Sequence, residues 1–273
     1  MNKIYYPIKV HAVKLEYRRQ KLEKMMHGFF KNVNGDQCVV ITYDPENPKI
    51  NSRHRRIVKA STKLGIKLAD CISSYQKTKS EYDSLLNEWN SLYRIAPPKV
   101  IFPVKQFYDP HQMNNEFFNR QAECCGNYVP DNPTVSDHGV LKSKNEQFGA
   151  DLLKLMGIPF KYETEVYIPT AKETYNPDYL VNFFEIDRCA YLDVLGMNDK
   201  LGYSARTITK LNGFSLDRYR PGREVIYVFL YDKSNFDEDY FVSQVLSAYN
   251  DMIPDSALLW DSEPSFEKII KAS

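Results

Sequence analysis

No stretch of this chain approaches the roughly 18 consecutive apolar residues that a membrane-spanning helix needs, so a membrane-embedded protein is not expected. The first ten residues, MNKIYYPIKV, hold no long apolar run and do not read as a secretory signal. The cytoplasm is the expected location. Cysteine is sparse: Cys38, Cys71, Cys124, Cys125 and Cys189 make an odd count with no C-x-x-C pair. Neither a disulfide framework nor a zinc site is indicated. The glycine patterns of the P-loop and of dinucleotide-binding folds are missing as well. No clean heptad supports a coiled-coil dimer.

What is present suits a globular protein with a buried core. The 273 residues are 43% hydrophobic and 26% charged, and tyrosine occurs 20 times. The net charge of +1 hides a division. Residues 1–100 carry 19 Lys and Arg against 9 Asp and Glu, whereas the rest carries 17 against 26. A basic half followed by an acidic half points to a polyanion contact in the first and a different task in the second. Arg53, Arg55 and Arg56, with His54 among them, form a basic knot expected at a helix start, and with Lys59 they are the candidate phosphate contacts. A merely solvated face fits them about equally well.

Hydrophobic periodicity divides the chain further. Residues 37–43 (QCVVITY) read as a strand closed by Asp44-Pro45, while residues 10–33 fit short strands or a helix. Residues 54–94 read as one long helix or a helical pair, stopped by Pro97-Pro98. Residues 106–139, rich in Pro, Asn, Asp and Gly, read as a connection. From residue 140 the pattern becomes α-β-β-β-α-β: helix 141–156, strands 160–168, 178–186 and 189–195, helix 199–211, strand 224–231, with a further helix at 239–250. The expected organisation is a basic region over 1–105, a connection over 106–139 and an α+β domain over 140–273.

Acidic residues stand at telling places in that run. Glu146 shares a helix face with Ala150 and Leu153, where a carboxylate is costly unless paired or metal-bound. Asp178 follows Pro177 at a strand start, and Asp193 lies between Leu192 and Val194 inside an apolar strand. Neighbouring strands would bring Asp178 and Asp193 to one sheet edge, and Mg²⁺ takes one or two such carboxylates while keeping several waters. Glu163, Glu165 and Glu185 lie on the same strands as alternatives to Glu146.

Pro177-Asp178, fifteen residues before Asp193, resembles the P-D…(D/E)-x-K signature of the PD-(D/E)XK nuclease superfamily. Where that signature has its lysine, this chain has Leu195. The segment Tyr191-Leu192-Asp193-Val194-Leu195-Gly196-Met197 is similar to the W-E-H-L-G-M-like third motif of a bacterial subgroup whose lysine has migrated to the following helix. Asp193 stands for its Glu and Val194 for its His. Asp199, Tyr203 and Lys210 fall where the subgroup has Asp, Tyr and the migrated Lys. Lys142-Ser143-Lys144-Asn145-Glu146 resembles its R-S-K-S-E stretch, and Gly157-Ile158-Pro159-Phe160-Lys161-Tyr162-Glu163 its G-I-P-Y-x-Y-E stretch. The likeness covers about residues 138–231.

The resemblance implies a restriction-endonuclease-like αβββαβ core around a mixed sheet, and a hydrolase cutting nucleic-acid phosphodiesters, DNA before RNA. It implies Asp178, Asp193 and Glu146 as ligands of Mg²⁺ or Mn²⁺, Glu146 alternatively orienting. Lys210 would reach into the space above Leu195 as the catalytic cation, while Lys144 and Tyr203 would contact nucleic acid. Apart from the resemblance, His138 just before the core fits an ordinary histidine better than a substrate contact. Cutting both strands would favour a homodimer. The competing reading is an inactive nuclease fold that binds nucleic acid, or a protein partner, as a regulator or inhibitor.

Overall fold

The computed structural model describes residues 4–105, 108–123, 134–136, 139–196, 201–230 and 236–261. No helix among them is long and apolar enough to cross a membrane. They form a mixed α/β structure in two compact units. One runs from His11 to Val100 and regains the chain from Leu258; the other comprises the segment up to Val10 and residues 101–257.

Helix α1 (Ile8–Glu23) opens the described chain. Every residue from Val10 to Glu16 is buried, so no polar stripe marks it and its sequence does not separate helix from strand. A hairpin follows, β1 (His27–Val33) and β2 (Asp36–Tyr43). Its two-residue turn, Asn34-Gly35, takes φ values of 52° and 85°, the left-handed pair that matches strand twist. Strand β3 (Arg56–Lys59) completes an antiparallel sheet of order β1-β2-β3. The expectation of a helix from residue 54 is corrected here. Ile57 and Val58 are β-branched and pair with Val40 and Val39. Helix α2 (Lys63–Leu92) starts later, capped by Thr62 Oγ1, which accepts from Gly65 N at 3.0 Å. Leu68 and Ile72 of α2 pack on Val39, Ile41 and Ile50. Strand β4 is Lys99–Val100.

In the other unit, α3 (Asn115–Arg120) lies within the expected connection, capped by Asn114. A six-residue helix is too short to leave a periodic signal. The hairpin β5 (Thr134–Ser136) and β6 (Gly139–Leu141) leads to α4 (Lys144–Leu155), whose N-cap is Ser143. Three short strands follow: β7 (Phe160–Tyr162), β8 (Val166–Ile168) and β9 (Glu173–Tyr175). The single strand expected over 160–168 is therefore two, broken where Glu163 adopts φ 46°, and β8 pairs with β9 instead of joining the main sheet. Strands β10 (Tyr179–Phe183) and β11 (Arg188–Leu195), helix α5 (Leu201–Leu216), strand β12 (Val225–Phe229) and helix α6 (Glu238–Asp251) complete this unit. Strand β13 (Leu258–Leu259) pairs with β4.

The central sheet has the order β12-β11-β10-β7. It is mixed: β11 and β12 are parallel and the other pairs antiparallel. Strand alternation sorts its side chains into two faces. Leu180, Cys189, Tyr191 and Val225 bury against Phe214 of α5 and against Val166 and Ile168. Tyr179 and Phe183 point the other way, toward α4 and α6: Tyr179 Oη donates to the Glu146 carbonyl, and Phe183 stacks on Tyr249 at 4.5 Å. Gly149 permits this approach, since a Cβ there would lie 2.9 Å from Tyr179 Oη.

Candidate active site

The site grows from the end of the β10–β11 ladder. The last cross-strand pair is Tyr179 with Leu192, so Asp178 and Asp193 are next in register. There the ladder continues through side chains. Asp178 N donates to Asp193 Oδ1 at 3.2 Å, and Val194 N donates to Asp178 Oδ2 at 2.7 Å. By alternation Asp193 shares its face with Tyr191 and Leu195, the face that α5 covers. Lys210 lies one turn before the buried Phe214 on α5. Its Nζ donates to Asp193 Oδ1 at 2.8 Å and stands 2.6 Å from Oδ2, in ion-pair contact outside hydrogen-bond geometry. Leu195 is buried at the position of the signature lysine. Lys210 thus meets Asp193 itself, whereas the space above Leu195 was its expected target.

Two further carboxylates adjoin this trio. Glu146 stands in the first turn of α4, where its side chain serves the helix start. Its Oε1 accepts from Ser143 Oγ at 3.0 Å, and its Oε2 accepts from Lys142 N at 2.8 Å and from Tyr162 Oη. This is a variant of the capping box, with the donor one residue before the cap. Glu163 is 3% exposed. Its backbone N donates to the Asp178 carbonyl at 3.0 Å, its Oε1 pairs with Lys142 Nζ, and its Oε2 is buried without a hydrogen-bond partner among the described residues.

The electrostatics record a surplus of negative charge. Burial, then the charges of Asp193 and Glu146, hold the Asp178 carboxyl well above the usual carboxylate range, against the opposing pull of Lys210 and the Val194 amide. Burial also raises Glu163, with Lys142 opposing and Glu146 adding. Tyr227, paired with Asp193 across β11 and β12, is raised by burial and by the Asp193 charge. Among the described residues, four carboxylates therefore share two ammonium groups, those of Lys142 and Lys210.

No family model, no curated protein and no solved structure matches this chain.

The residues picked out by sequence separate into two sets. Asp178, Asp193 and Lys210 come together in direct contact, with Glu146 at the margin. Arg53, Arg55, Arg56 and Lys59 belong to the other unit, all exposed, on a bend and on β3 where a helix start was expected. Lys59 pairs with Asp36 at 2.6 Å. Lys144, the first residue of α4, is exposed. Tyr203 lies on α5 with its side chain outside the described residues, and His138, Met197 and Asp199 lie outside them altogether. Sequence reasoning passed over Lys142, and it ranked Glu163 below Glu146. The available signal for both was the pair of flanking motifs, which place Lys142 just before the α4 cap and Glu163 just after β7.

Among the described residues, no three His, Cys, Asp or Glu side chains are grouped closely enough to hold a metal ion. The donor set nonetheless fits a hard divalent cation of the kind that uses few protein ligands. Asp178 and Asp193 offer oxygens at one sheet edge, and a dication would favour the charged form of Asp178, which burial and then the neighbouring carboxylates disfavour. Water and substrate oxygens would fill the remaining positions.

Proposed function

We propose that this chain is a metal-dependent nuclease of the PD-(D/E)XK type that hydrolyses phosphodiester bonds of nucleic acid, DNA before RNA. One observation carries the reading: Asp178 and Asp193 are locked to each other at the end of adjacent strands, with Lys210 from the next helix on the same carboxylate. A buried acid pair held against its own repulsion is the kind of costly arrangement found at working sites. The order α4-β7-β10-β11-α5-β12 around a mixed sheet supports the same reading, with β8 and β9 as an inserted hairpin.

In this reading Asp178 and Asp193 hold Mg²⁺ or Mn²⁺. When bound, the cation supplies Lewis-acid polarisation of a phosphoryl oxygen and lowers the pKa of water. Lys210 offsets charge developing on the phosphorane-like transition state. Val194 N and Asp178 N orient the two carboxylates, so neither must reorganise during reaction. Glu146, whose oxygens already accept from three donors, orients the start of α4. Arg53, Arg55, Arg56, Lys59 and Lys144 bind backbone phosphates without reading sequence.

The test is cleavage of supercoiled plasmid, linear single-stranded DNA and RNA with Mg²⁺, Mn²⁺ or EDTA. Metal-dependent cutting by the wild type that is lost in Asp178→Ala, Asp193→Ala and Lys210→Ala is expected. Salt-sensitive binding with no cutting under any metal would replace this reading with that of an inactive nuclease fold.

A further inference from the structure

Glu146 occupies the helix position from which a third acid was expected, yet its carboxylate is already engaged. Three donors converge on it: Ser143 Oγ, Lys142 N and Tyr162 Oη. Glu163 is the opposite case. Its carboxyl is buried, Lys142 Nζ takes Oε1, and Oε2 has no hydrogen-bond partner among the described residues. A buried carboxylate oxygen left without a donor costs on the order of 1–3 kcal/mol or more, so it marks a place where a donor belongs. A purely structural residue at that turn would cost less as an amide or an apolar side chain. The turn is itself anchored to the acid pair, because Glu163 N donates to the Asp178 carbonyl. After its burial and the Lys142 contact, the charges of Glu146 and Lys210 also act on the Glu163 carboxyl.

We propose that Glu163, and not Glu146, is the third acid of the cation site. Its free Oε2 accepts a hydrogen bond from a water in the hydration shell of the ion held by Asp178 and Asp193, and Lys142 tunes that contact by sharing the carboxylate. An outer-shell role agrees with the spacing, since among the described residues no three acids are close enough to hold an ion directly. It also agrees with the habit of Mg²⁺ of keeping several waters. Partners of this kind typically shift metal affinity 10- to 100-fold. Glu163 is thus a positioning residue, acting through the water. The inference rests on the metal-site reading above.

The experiment is titration of the full-length, metal-free protein with Mn²⁺ at fixed pH, following free ion by electron paramagnetic resonance, with thermal melting run alongside. Glu163→Gln is expected to weaken Mn²⁺ binding about 10-fold while melting at or above the wild-type temperature. Glu146→Gln is expected to lower the melting temperature and leave affinity within about twofold. Wild-type affinity in Glu163→Gln, or a larger loss in Glu146→Gln than in Glu163→Gln, would each overturn the inference. Asp178→Asn separates it from its foundation. If the wild type binds no Mn²⁺, or Asp178→Asn binds as well as the wild type, the metal-site reading itself falls.

Discussion

Lys210 Nζ stands within 2.8 Å of both carboxylate oxygens of Asp193, a side chain 2% exposed. Removing one member of such a pair strands the other in a poorly solvated place. The cost is about 3–5 kcal/mol where both charges are buried, while apolar replacement of both is often neutral. Lys210→Met should therefore destabilise the chain strongly, and Asp193→Leu combined with Lys210→Met should recover most of the loss. Urea unfolding of both single variants and the double variant checks this. Additive destabilisation, with the double variant losing the sum of the two single losses, would show that the pair is not coupled in the folded protein.

Asp178 is the stability counterpart. Burial and two neighbouring carboxylates raise its carboxyl above the unfolded value, so the folded state binds its proton more tightly than the unfolded state does. The stability linked to that proton is present below the unfolded carboxylate range. It is lost as pH rises through the raised native value. Asp178→Asn, which keeps an oxygen for Val194 N, should thus raise the melting temperature at neutral pH. A gain of about 2–4 °C corresponds to ~1 kcal/mol in a chain of this size. The gain should shrink as pH falls toward the carboxylate range. A constant gain from pH 4 to 8 would assign it to something other than the ionisation of Asp178.

The sheet is legible in sequence where a strand is buried on both faces. DYLVNFFEI and CAYLDVL are near-continuous apolar runs, and their observed strands end within a few residues of the expected bounds. Asp193 stands out because an acid inside such a run demands a partner. Register and helix phase, which bring Asp178 and Lys210 to it, rest on pairing that no local pattern encodes. Glu163 is hidden for a related reason: the residues around it alternate like a strand, and the left-handed turn that buries its carboxyl is set by the Asp178 carbonyl. The helix expected from residue 54 fails for a local cause, since β3 is only four residues long and is soon followed by a helix, and residues 10–33 stay open between strand and helix because α1 lacks a polar face.

Gly149 tests whether the approach of α4 to the sheet matters for Glu146 and Tyr162. A Cβ there would come within 2.9 Å of Tyr179 Oη and 3.2 Å of the Phe241 ring. Gly149→Ala gains helix propensity of about 1 kcal/mol, but the overlap opposes it. Gly149→Val should lose about 1–3 kcal/mol through overpacking. Because Tyr179 Oη donates to the Glu146 carbonyl, displacement of the ring should also loosen the start of α4. Hydrogen exchange at the amides of residues 144–149 is the measurement. Faster exchange there than in α6 is expected, and uniform exchange would mean that the helix absorbs the change as a rigid body.

The exposed arginines carry a prediction of a different kind. Arg53, Arg55 and Arg56 lie on a bend and an edge strand, so they can meet phosphates only as surface charges, without a helix terminus behind them. Contacts of this kind act through counterion release. Each lost phosphate contact lowers the slope of log affinity against log salt by roughly 0.9 on duplex DNA. Replacing all three by Gln should weaken binding to every duplex sequence alike and flatten that slope, with the melting temperature unchanged to within the small effect of surface substitutions. Lys59→Gln should do less, because its ammonium already pairs with Asp36. Fluorescence anisotropy over a range of salt concentrations reads all of these. An unaltered slope in the triple variant would remove these arginines from the nucleic-acid interface and leave Lys59 and Lys144 as the remaining charged contacts of the proposed set.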